Sequence, residues 1–216
     1  MSYDLSNYRR SYEKQELLEV NCPSNPIELF RQWFLIADKS DLVLAESNAM
    51  TISSISLDGY PKSRVVLLKK YSDEGFVFYT NYNSEKGKAI AQNNKVSLSF
   101  FWAGLEQQII IKGKAVKISE DLSEQYFKSR PNGSKIGAWA SEQSKVVVSR
   151  KALDSKLESY TTEFENKEID RPKHWGGYIV KPVSIEFWQG RPNRMHDRVR
   201  YTHEKDFSWK IERLAP

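Results

Sequence analysis

Short runs of alternating apolar and polar side chains, separated by turn residues, follow one another from about Met50 and constrain the fold most. Alternation of this kind has the period of a β-strand, in which successive side chains point to opposite faces. Asp58-Gly59 and Asp73-Glu74-Gly75 are turn signals between consecutive runs. Such hairpins in series predict an antiparallel sheet, with strands expected at 50–55, 64–71, 76–80, 96–102, 106–118, 177–180, 184–189, 199–203 and 208–213.

Helical signals accompany the predicted strands. Asn25-Pro26 is a typical helix start, with asparagine as N-cap and proline at the first helical position. Further helices are predicted from Ser84 to about Asn93, from Glu120 to Ser129 and from Arg150 to Asn166. A series of short antiparallel strands with helices at the side predicts an α+β fold, mostly antiparallel β, as a closed or split barrel, because closure removes exposed edges.

The length of 216 residues fits one domain, which we expect to span residues 25–216. Residues 1–24 are polar and irregular and are expected to form a flexible arm, ordered only where something captures it. Cys22 is the single cysteine, which excludes a disulfide framework and fits a reducing compartment, so a cytoplasmic location is expected. With three widely spaced histidines we predict no metal site, and no apolar run predicts a membrane span.

The net charge of +5 suits an anionic partner, either a phosphorylated small molecule or a nucleic acid. The 33 basic and 28 acidic residues are interspersed, which weakens the nucleic-acid interpretation. The sequence has no G-x-G-x-x-G, G-x-x-x-x-G-K-[ST] or G-x-S-x-G motif. Any phosphate must therefore be bound by side chains rather than by a glycine-rich loop.

Residues 187–198 combine an indole, three arginines, a histidine and an aspartate around Gly190 and Pro192. The glycine and the proline place these side chains on or beside a turn. Such a set suits a planar anionic ligand, because an indole stacks, arginines pair with phosphate and a histidine exchanges a proton. Taken alone, the segment is more typical of a solvated basic loop, because charge-rich runs are usually solvated.

Two more segments carry candidate anion ligands. Arg64 and Lys69 have an odd separation, so on a regular strand they would point to opposite faces and serve different anions, unless a bulge reorients one. Tyr126 and Arg130 are four residues apart, hence on one helical face, and with Ser134 they predict a phosphate clamp. The alternatives are protective charges on an edge strand and an arginine that complements a helix dipole.

From about Tyr8 to Pro216 the chain closely resembles the pyridoxine (pyridoxamine) 5′-phosphate oxidase family, whose members use flavin mononucleotide (FMN). The resemblance rests on motifs that occur in order and at matching spacing: Arg64–Lys69, Phe78-Tyr79-Thr80-Asn81, Tyr126-Phe127, Ser129-Arg130-Pro131, Ile136-Gly137-Ala138-Trp139, Trp175-Gly176-Gly177, Phe187-Trp188-Gln189-Gly190, Arg194-Met195-His196-Asp197-Arg198 and Arg213-Leu214-Ala215-Pro216.

The resemblance implies an FMN-binding split-barrel homodimer with two flavins at the subunit interface and no nucleic-acid or membrane partner. The implied FMN-binding residues are Arg64, Val65, Val66, Leu67, Leu68, Lys69, Tyr79, Thr80, Lys86, Gln108, Gln143, Ser144, Trp188 and Arg198. The implied substrate-binding residues are Lys69, Tyr126, Arg130, Ser134, Arg194 and His196, together with Arg9, Arg10 and Tyr12 of the arm, which would act as an active-site lid.

The implied reaction oxidises pyridoxine 5′-phosphate or pyridoxamine 5′-phosphate to pyridoxal 5′-phosphate. Hydride leaves C4′ for the flavin, dioxygen is the acceptor, and hydrogen peroxide is released, with ammonia in addition from the amine. The cofactor supplies the redox chemistry, and the protein supplies position and field. Arg194 is expected to orient the substrate near C4′, and His196 to hydrogen-bond to it.

Glu85 and Gln107 depart from the family pattern, since relatives often have a basic residue at both positions. Both residues reduce positive charge near the cofactor, which is expected to weaken FMN binding. Two alternatives to the oxidase are a split-barrel flavin reductase without vitamin B6 specificity and, given the pI of about 9.1 and 12% aromatic residues, a nucleic-acid-binding barrel.

Overall fold

The computed structural model describes residues 3–8, 10–43 and 46–216. The helices of this part are α1 (Pro26–Lys39), α2 (Glu85–Gln92), α3 (Glu120–Lys128), α4 (Asn132–Ala140) and α5 (Arg150–Glu163). The strands are β1 (Ala49–Ile55), β2 (Pro61–Leu67), β3 (Lys70–Ser72), β4 (Gly75–Asn81), β5 (Lys95–Trp102), β6 (Gln107–Lys117), β7 (Trp175–Gln189), β8 (Asp197–His203) and β9 (Trp209–Arg213). No helix of these ranges is long and apolar enough to cross a membrane.

The strands form one sheet with the neighbour order β2-β1-β5-β6-β7-β4-β3, and β8 joins β7 to β9. The pairs β3–β4, β4–β7, β7–β8 and β8–β9 are antiparallel. Two register positions bear on function: Tyr79 lies opposite Gly177, and Trp188 lies opposite Arg198. The predicted α+β class with a mostly antiparallel sheet is confirmed.

The chain divides into two compact units, each assembled from several stretches. Unit 1 takes its described residues from Met1–Thr51, Leu98–Lys112 and Pro182–Pro216. Its core is aromatic: the ring of Phe30 lies 5.3 Å from that of Phe100, and Trp33 lies 5.3 Å from Phe187. Helix α1 supplies Phe30 and Trp33 to these contacts. Asn25 caps the start of this helix, its side chain accepting the N–H of Ile27, as the sequence predicts.

Unit 2 comprises Ile52–Ser97 and Gly113–Lys181. Phe127, Ile169 and Trp175 form a buried cluster there, bordered by the half-buried rings of Tyr79 and Tyr126. Ser84 caps α2 by accepting the N–H of Gly87, which confirms the predicted helix start. Buried strand β4 thus connects the hydrophobic core to the polar start of α2.

The strand predicted over 64–71 is wrong, because β2 ends at Leu67 and β3 begins at Lys70. Leu68 is buried, and the N–H of Lys69 donates to the carbonyl of Val77 at 2.8 Å. Lys69 therefore lies in a connection, where the alternation of a strand no longer fixes the direction of its side chain. The inference that Arg64 and Lys69 point to opposite faces of one strand does not hold.

Three further boundaries differ from prediction. Helix α3 ends at Lys128, so Arg130 lies beyond the helix and does not share a helical face with Tyr126. Helix α4 was not predicted, because Pro131 and two glycines are typical of a turn. Strand β7 continues through Pro182, where two strands were expected; its neighbours Lys181 and Val183 are exposed, and an exposed stretch tolerates the missing N–H.

Candidate functional site

Four polar residues of unit 2 form what we call the Lys86 cluster: Arg64, Thr80, Lys86 and Gln143. The Lys86 Nζ donates to Thr80 Oγ1 and to Gln143 Oε1, both at 2.8 Å. Burial, and after it the charge of Arg64, lowers the pKa of Lys86. Two cations close enough to repel each other, beside a hydroxyl and an amide, provide the donors that a phosphate group requires.

Glu85 lies next to the Lys86 cluster and forms ion pairs with two cations of β2. Its carboxylate pairs with Lys62 and, at 3.3 Å, with Arg64. Lys62, Arg64, Glu85 and Lys86 line the same small cavity. The position that departs from the family pattern is therefore in direct contact with an expected cofactor ligand.

The other expected cofactor residues of unit 2 are distributed around this cluster. Val65 is 70% exposed, Val66 and Leu67 are half-buried, and Leu68 is buried, so the stretch passes from the surface into the core. Ser144 follows Gln143 with a φ of 74°, a left-handed conformation uncommon outside glycine.

Four residues of unit 2 form a second group, the Trp175 cluster: Tyr79, Tyr126, Arg130 and Trp175. The rings of Tyr79 and Tyr126 are stacked with centroids 3.9 Å apart, and Tyr79 also stacks on Trp175 at 5.4 Å. The Arg130 guanidinium lies over the Trp175 ring at 4.5 Å. The stacked rings of Tyr79 and Trp175 thus connect Arg130 to Tyr126, although Arg130 lies outside helix α3.

The Arg130 guanidinium has an N–H donor available for a ligand. Its Nη1 is buried without a hydrogen-bond partner among the described residues, and burial lowers the pKa of Arg130. A buried unpaired donor is costly, and an anion would satisfy it. Ser134, in the first turn of α4, and Lys69 are both exposed. The structure therefore gathers Tyr126 and Arg130 around Trp175, with Tyr79 as an unexpected third member.

The side chains of Tyr79 and Thr80 serve different clusters. They are consecutive on β4, so they point to opposite faces: Thr80 towards Lys86, and Tyr79 towards Tyr126. Gly177 lies opposite Tyr79, and a Cβ there would approach Tyr79 Cε1 at 2.9 Å. The glycine of the Trp175-Gly176-Gly177 motif thus makes room for the stacked tyrosine.

In unit 1 the turn between β7 and β8 borders a cavity of about 590 Å³, which we call the His196 pocket. Its lining is rich in cations and hydrogen-bond donors: Tyr8, Arg10, Ser11, Tyr12, Arg191, Asn193, Arg194 and His196. The predicted substrate residues Arg10, Tyr12, Arg194 and His196 are thereby brought together. Arg9, predicted with them, lies outside the described residues.

Aromatic rings form one side of this group. Trp188 lies 4.7 Å from His196 and 5.7 Å from Tyr12, measured between ring centroids. The N–H of Arg191 donates to His196 Nδ1 at 3.1 Å, so the neutral imidazole carries its proton on Nε2. Burial, and after it the charge of Arg194, lowers the pKa of His196 from its ordinary value of 6.5. The ring is consequently a neutral hydrogen-bond donor near neutral pH.

Arg194 has an unusual backbone conformation. Its φ is 61° and that of Asn193 is 54°, so two consecutive non-glycine residues are left-handed. Such residues carry strain of about 1 kcal/mol or more each and occur often at functional sites. The turn therefore places the Arg194 side chain on the pocket at a conformational cost.

The arm is attached to unit 1 just beyond the pocket. The Glu106 carboxylate accepts the N–H groups of Glu13 and Lys14 at 2.9 and 3.1 Å, and Asp197 accepts that of Leu17 at 3.0 Å. Gly190 permits this path, since a Cβ there would lie 2.7 Å from Tyr12. These three hydrogen bonds hold residues 13–17 of the arm in place.

The sequence assigns neither a partner nor a role to Arg191. In the structure Arg191 lines the His196 pocket and pairs with Glu16 at 3.5 Å and with Asp197 at 3.6 Å. Glu106 and Asp197, which bind the arm, were also missed as functional residues. The sequence gives little signal for either residue, because Glu106 merely precedes β6 and Asp197 merely begins β8, and their partners in the arm are about 90 and 180 residues away.

The remaining expected flavin residues lie on the strands of unit 1. Trp188 and Arg198 are cross-strand neighbours, and Arg198 Nε donates to Glu186 at 2.8 Å. Gln108 is half-buried on β6. Gln107 beside it is buried and donates to Gln189 at 3.0 Å, so its side chain faces the core of unit 1. Gln107, which departs from the family pattern, therefore makes a buried contact in the core of unit 1.

Family models cover most of the chain. Residues 36–163 match the model described as pyridoxamine 5′-phosphate oxidase. Residues 175–216 match the model described as the pyridoxine 5′-phosphate oxidase C-terminal dimerisation region. The second match includes Trp188, Arg194, His196 and Arg198.

Two solved structures have the same fold. PhzG from Burkholderia lata, in complex with tetrahydrophenazine-1-carboxylic acid, matches with a TM-score of 0.83 and 28% identity, covering 93% of this chain and 98% of that one. A pyridoxamine 5′-phosphate oxidase-related FMN-binding protein from Nostoc punctiforme matches with a TM-score of 0.69 at 14% identity, covering 90% and 100%. These structures confirm the predicted split β-barrel with flanking helices.

Relatives named pyridoxine/pyridoxamine 5′-phosphate oxidase match the whole chain. The protein from Flavobacterium psychrophilum is 62% identical over 213 residues, covering 99% of each chain. The protein from Christiangramia forsetii is 54% identical over 216 residues, covering 100% of each. The chain therefore belongs to the pyridoxine/pyridoxamine 5′-phosphate oxidase family.

Proposed function

We propose that this chain is an FMN-dependent oxidase that converts pyridoxine 5′-phosphate or pyridoxamine 5′-phosphate to pyridoxal 5′-phosphate, with dioxygen as acceptor. The observation that carries the proposal is the presence of two separate cationic donor sets in unit 2, the Lys86 cluster and the Trp175 cluster. A phosphorylated cofactor and a phosphorylated substrate require one such set each. The names of the full-length relatives agree with this chemistry.

The residues of the Lys86 cluster fit the phosphate end of FMN. Lys86 and Arg64 supply positive charge, and Thr80 and Gln143 supply neutral hydrogen-bonding groups. Gln108, Trp188 and Arg198 would contact the flavin ring, with Trp188 offering an aromatic face. When bound, FMN supplies a two-electron acceptor that dioxygen can reoxidise with release of hydrogen peroxide.

The substrate phosphate would bind Arg130, whose Nη1 lacks a partner among the described residues, together with Tyr126, Ser134 and Lys69. Arg194 and His196 would bind the pyridine end of the substrate. Neutral His196 donates from Nε2, and Arg194 orients the substrate by charge and hydrogen bonds. Neither residue is required to remove a proton from carbon in this proposal.

The proposal extends to assembly and to the arm. We propose a cytoplasmic homodimer with FMN at the subunit interface, since Trp188 and Arg198 lie within the stretch that matches a dimerisation region. Residues 1–24 would form a lid next to a single domain of residues 25–216, because Arg10 and Tyr12 line the His196 pocket. Neither compact unit is a continuous stretch of chain, which favours one domain.

The proposal is tested by following hydrogen peroxide and aldehyde formation by the purified holoenzyme in air. Pyridoxine 5′-phosphate and pyridoxamine 5′-phosphate should both yield pyridoxal 5′-phosphate, and unphosphorylated pyridoxine should react far less efficiently. A yellow protein that reduces flavin with a nicotinamide donor yet forms no aldehyde would be a flavin reductase. A colourless protein that retards oligonucleotides would favour the nucleic-acid alternative.

A further inference from the structure

Glu85 pairs with cations that lie on one face of strand β2. Lys62 and Arg64 are two residues apart, so their side chains share a face. Ser63 between them points the other way, where its hydroxyl lies 2.8 Å from that of Ser53. The Glu85 carboxylate is therefore the partner of both cations at the edge of the Lys86 cluster.

The charges of this region match a phosphate group without requiring Glu85. Lys62, Arg64 and Lys86 are three cations, and among the described residues that line the same cavity Glu85 is the one carboxylate. A phosphate monoester carries about two negative charges at neutral pH. A carboxylate already paired with Arg64 must give up that contact, at least in part, before Arg64 can form a bidentate pair with phosphate.

Glu85 is not needed to begin helix α2. Ser84 caps the helix, its Oγ accepting the N–H of Gly87 at 3.2 Å. The ion pairs of Glu85 are substantially exposed, with side-chain exposures of 36% for Glu85 and 48% for Arg64. Exposed pairs of this kind contribute little to stability. The position therefore tolerates substitution, and its effect on a ligand can be measured separately from folding.

We propose that Glu85 competes with the cofactor phosphate for Arg64 and Lys62, and that Lys62 becomes a phosphate ligand once the phosphate displaces the carboxylate. The inference rests on the assignment of the FMN phosphate to the Lys86 cluster in the proposed function. It makes Glu85 a determinant of cofactor affinity and adds Lys62, a residue that sequence did not single out, to the cofactor site.

The test is a titration of the full-length apoprotein with FMN, followed by quenching of flavin fluorescence, with riboflavin titrated in parallel. Glu85→Gln should lower the Kd for FMN about twofold to fivefold, and Lys62→Gln should raise it by a similar factor, the range for one exposed charge pair. Riboflavin lacks the phosphate, so its Kd should not change in either variant. Glu74→Gln and Lys88→Gln are the matched controls, with the same charge changes at exposed positions of unit 2.

Unchanged or weaker FMN binding in Glu85→Gln, with riboflavin binding intact, would overturn the competition and leave the proposed function standing. An unchanged FMN Kd in Lys62→Gln would remove Lys62 from the site. Equal changes for FMN and riboflavin would assign Glu85 to general structure and overturn the inference. A wild-type protein that binds neither flavin would reject the proposed function and this inference together.

Discussion

The backbone N–H of Arg191 donates to Nδ1 of His196 at 3.1 Å across the turn that joins β7 to β8. This one contact fixes the tautomer of the neutral ring and leaves Nε2 with the proton. Protonation of Nδ1 would remove the acceptor and place a second positive charge beside Arg194. The turn thus keeps its histidine neutral by both hydrogen bonding and charge.

We expect the pKa of His196 to lie below 6.5, because burial and the charge of Arg194 both disfavour the imidazolium. The native state then binds fewer protons than the unfolded state. Stability is therefore lost as the pH falls through 6.5 towards the lowered pKa, and is unaffected above that window. An NMR titration of the ring protons measures the pKa directly.

Arg194→Gln should move the pKa of His196 back towards 6.5, since the positive charge is removed while polarity remains. Lys205→Gln, in the exposed β8–β9 turn, removes a charge away from the ring and should leave the pKa unchanged. A His196 pKa above 6.5 in the wild-type protein would contradict the described environment.

Arg194→Ala should lower kcat/KM about 100-fold or more, with far less effect on FMN binding, because the substrate loses its orienting group. Arg194→Gly is a matched variant that also loses the side chain but relieves the left-handed backbone. It should be equally inactive yet more stable than Arg194→Ala by about 1 kcal/mol. Near-normal kcat/KM in either variant would reject the assigned role of Arg194.

Arg130→Met should raise KM for phosphorylated substrates about 10-fold to 100-fold with a smaller change in kcat, because a charged hydrogen bond to phosphate is lost. The apolar chain can still cover Trp175, so stability should change little. Lys135→Met removes a nearby charge from α4 as a control. An unchanged KM in Arg130→Met would count against the phosphate site at the Trp175 cluster.

Glu106→Gln should loosen the arm, because a carboxylate that accepts two backbone N–H groups is replaced by a neutral amide. Hydrogen exchange at the amides of Glu13 and Lys14 should become faster, by about 10-fold for a loss of about 1.4 kcal/mol. Glu204→Gln, in the β8–β9 turn, serves as the control. Identical exchange in Glu106→Gln would show that other contacts secure the arm.

Local signals in the sequence predicted those parts of the fold that depend on local physics. Asn25 and Ser84 are the N-caps that the sequence indicates, and the Gly190–Pro192 turn lies between β7 and β8 as expected. Helix α4 was missed because Gly133 and Gly137 lower helix propensity and no side chain caps its start. Tertiary packing, which sequence periodicity does not report, stabilises it.

The candidate site was predictable in its residue types and less so in its pairings. The stacking of Arg130 on Trp175 joins residues 45 positions apart in the chain, and no local pattern encodes it. The Arg191 contacts with Glu16 and Asp197 depend on the path of the arm. The pairing of Glu85 with Lys62 and Arg64 joins the first residue of α2 to strand β2, which lies more than 20 residues earlier in the chain. Long-range contacts of this kind appear only in the folded chain.

The most direct test of the proposed oxidase is the visible spectrum of the purified protein before and after anaerobic addition of pyridoxine 5′-phosphate. We predict a bound oxidised flavin whose absorbance bleaches on addition of this substrate, persists with unphosphorylated pyridoxine at the same concentration, and returns when air is admitted. A flavin spectrum that pyridoxine 5′-phosphate and pyridoxamine 5′-phosphate leave unchanged, or a protein that binds no FMN, would contradict it.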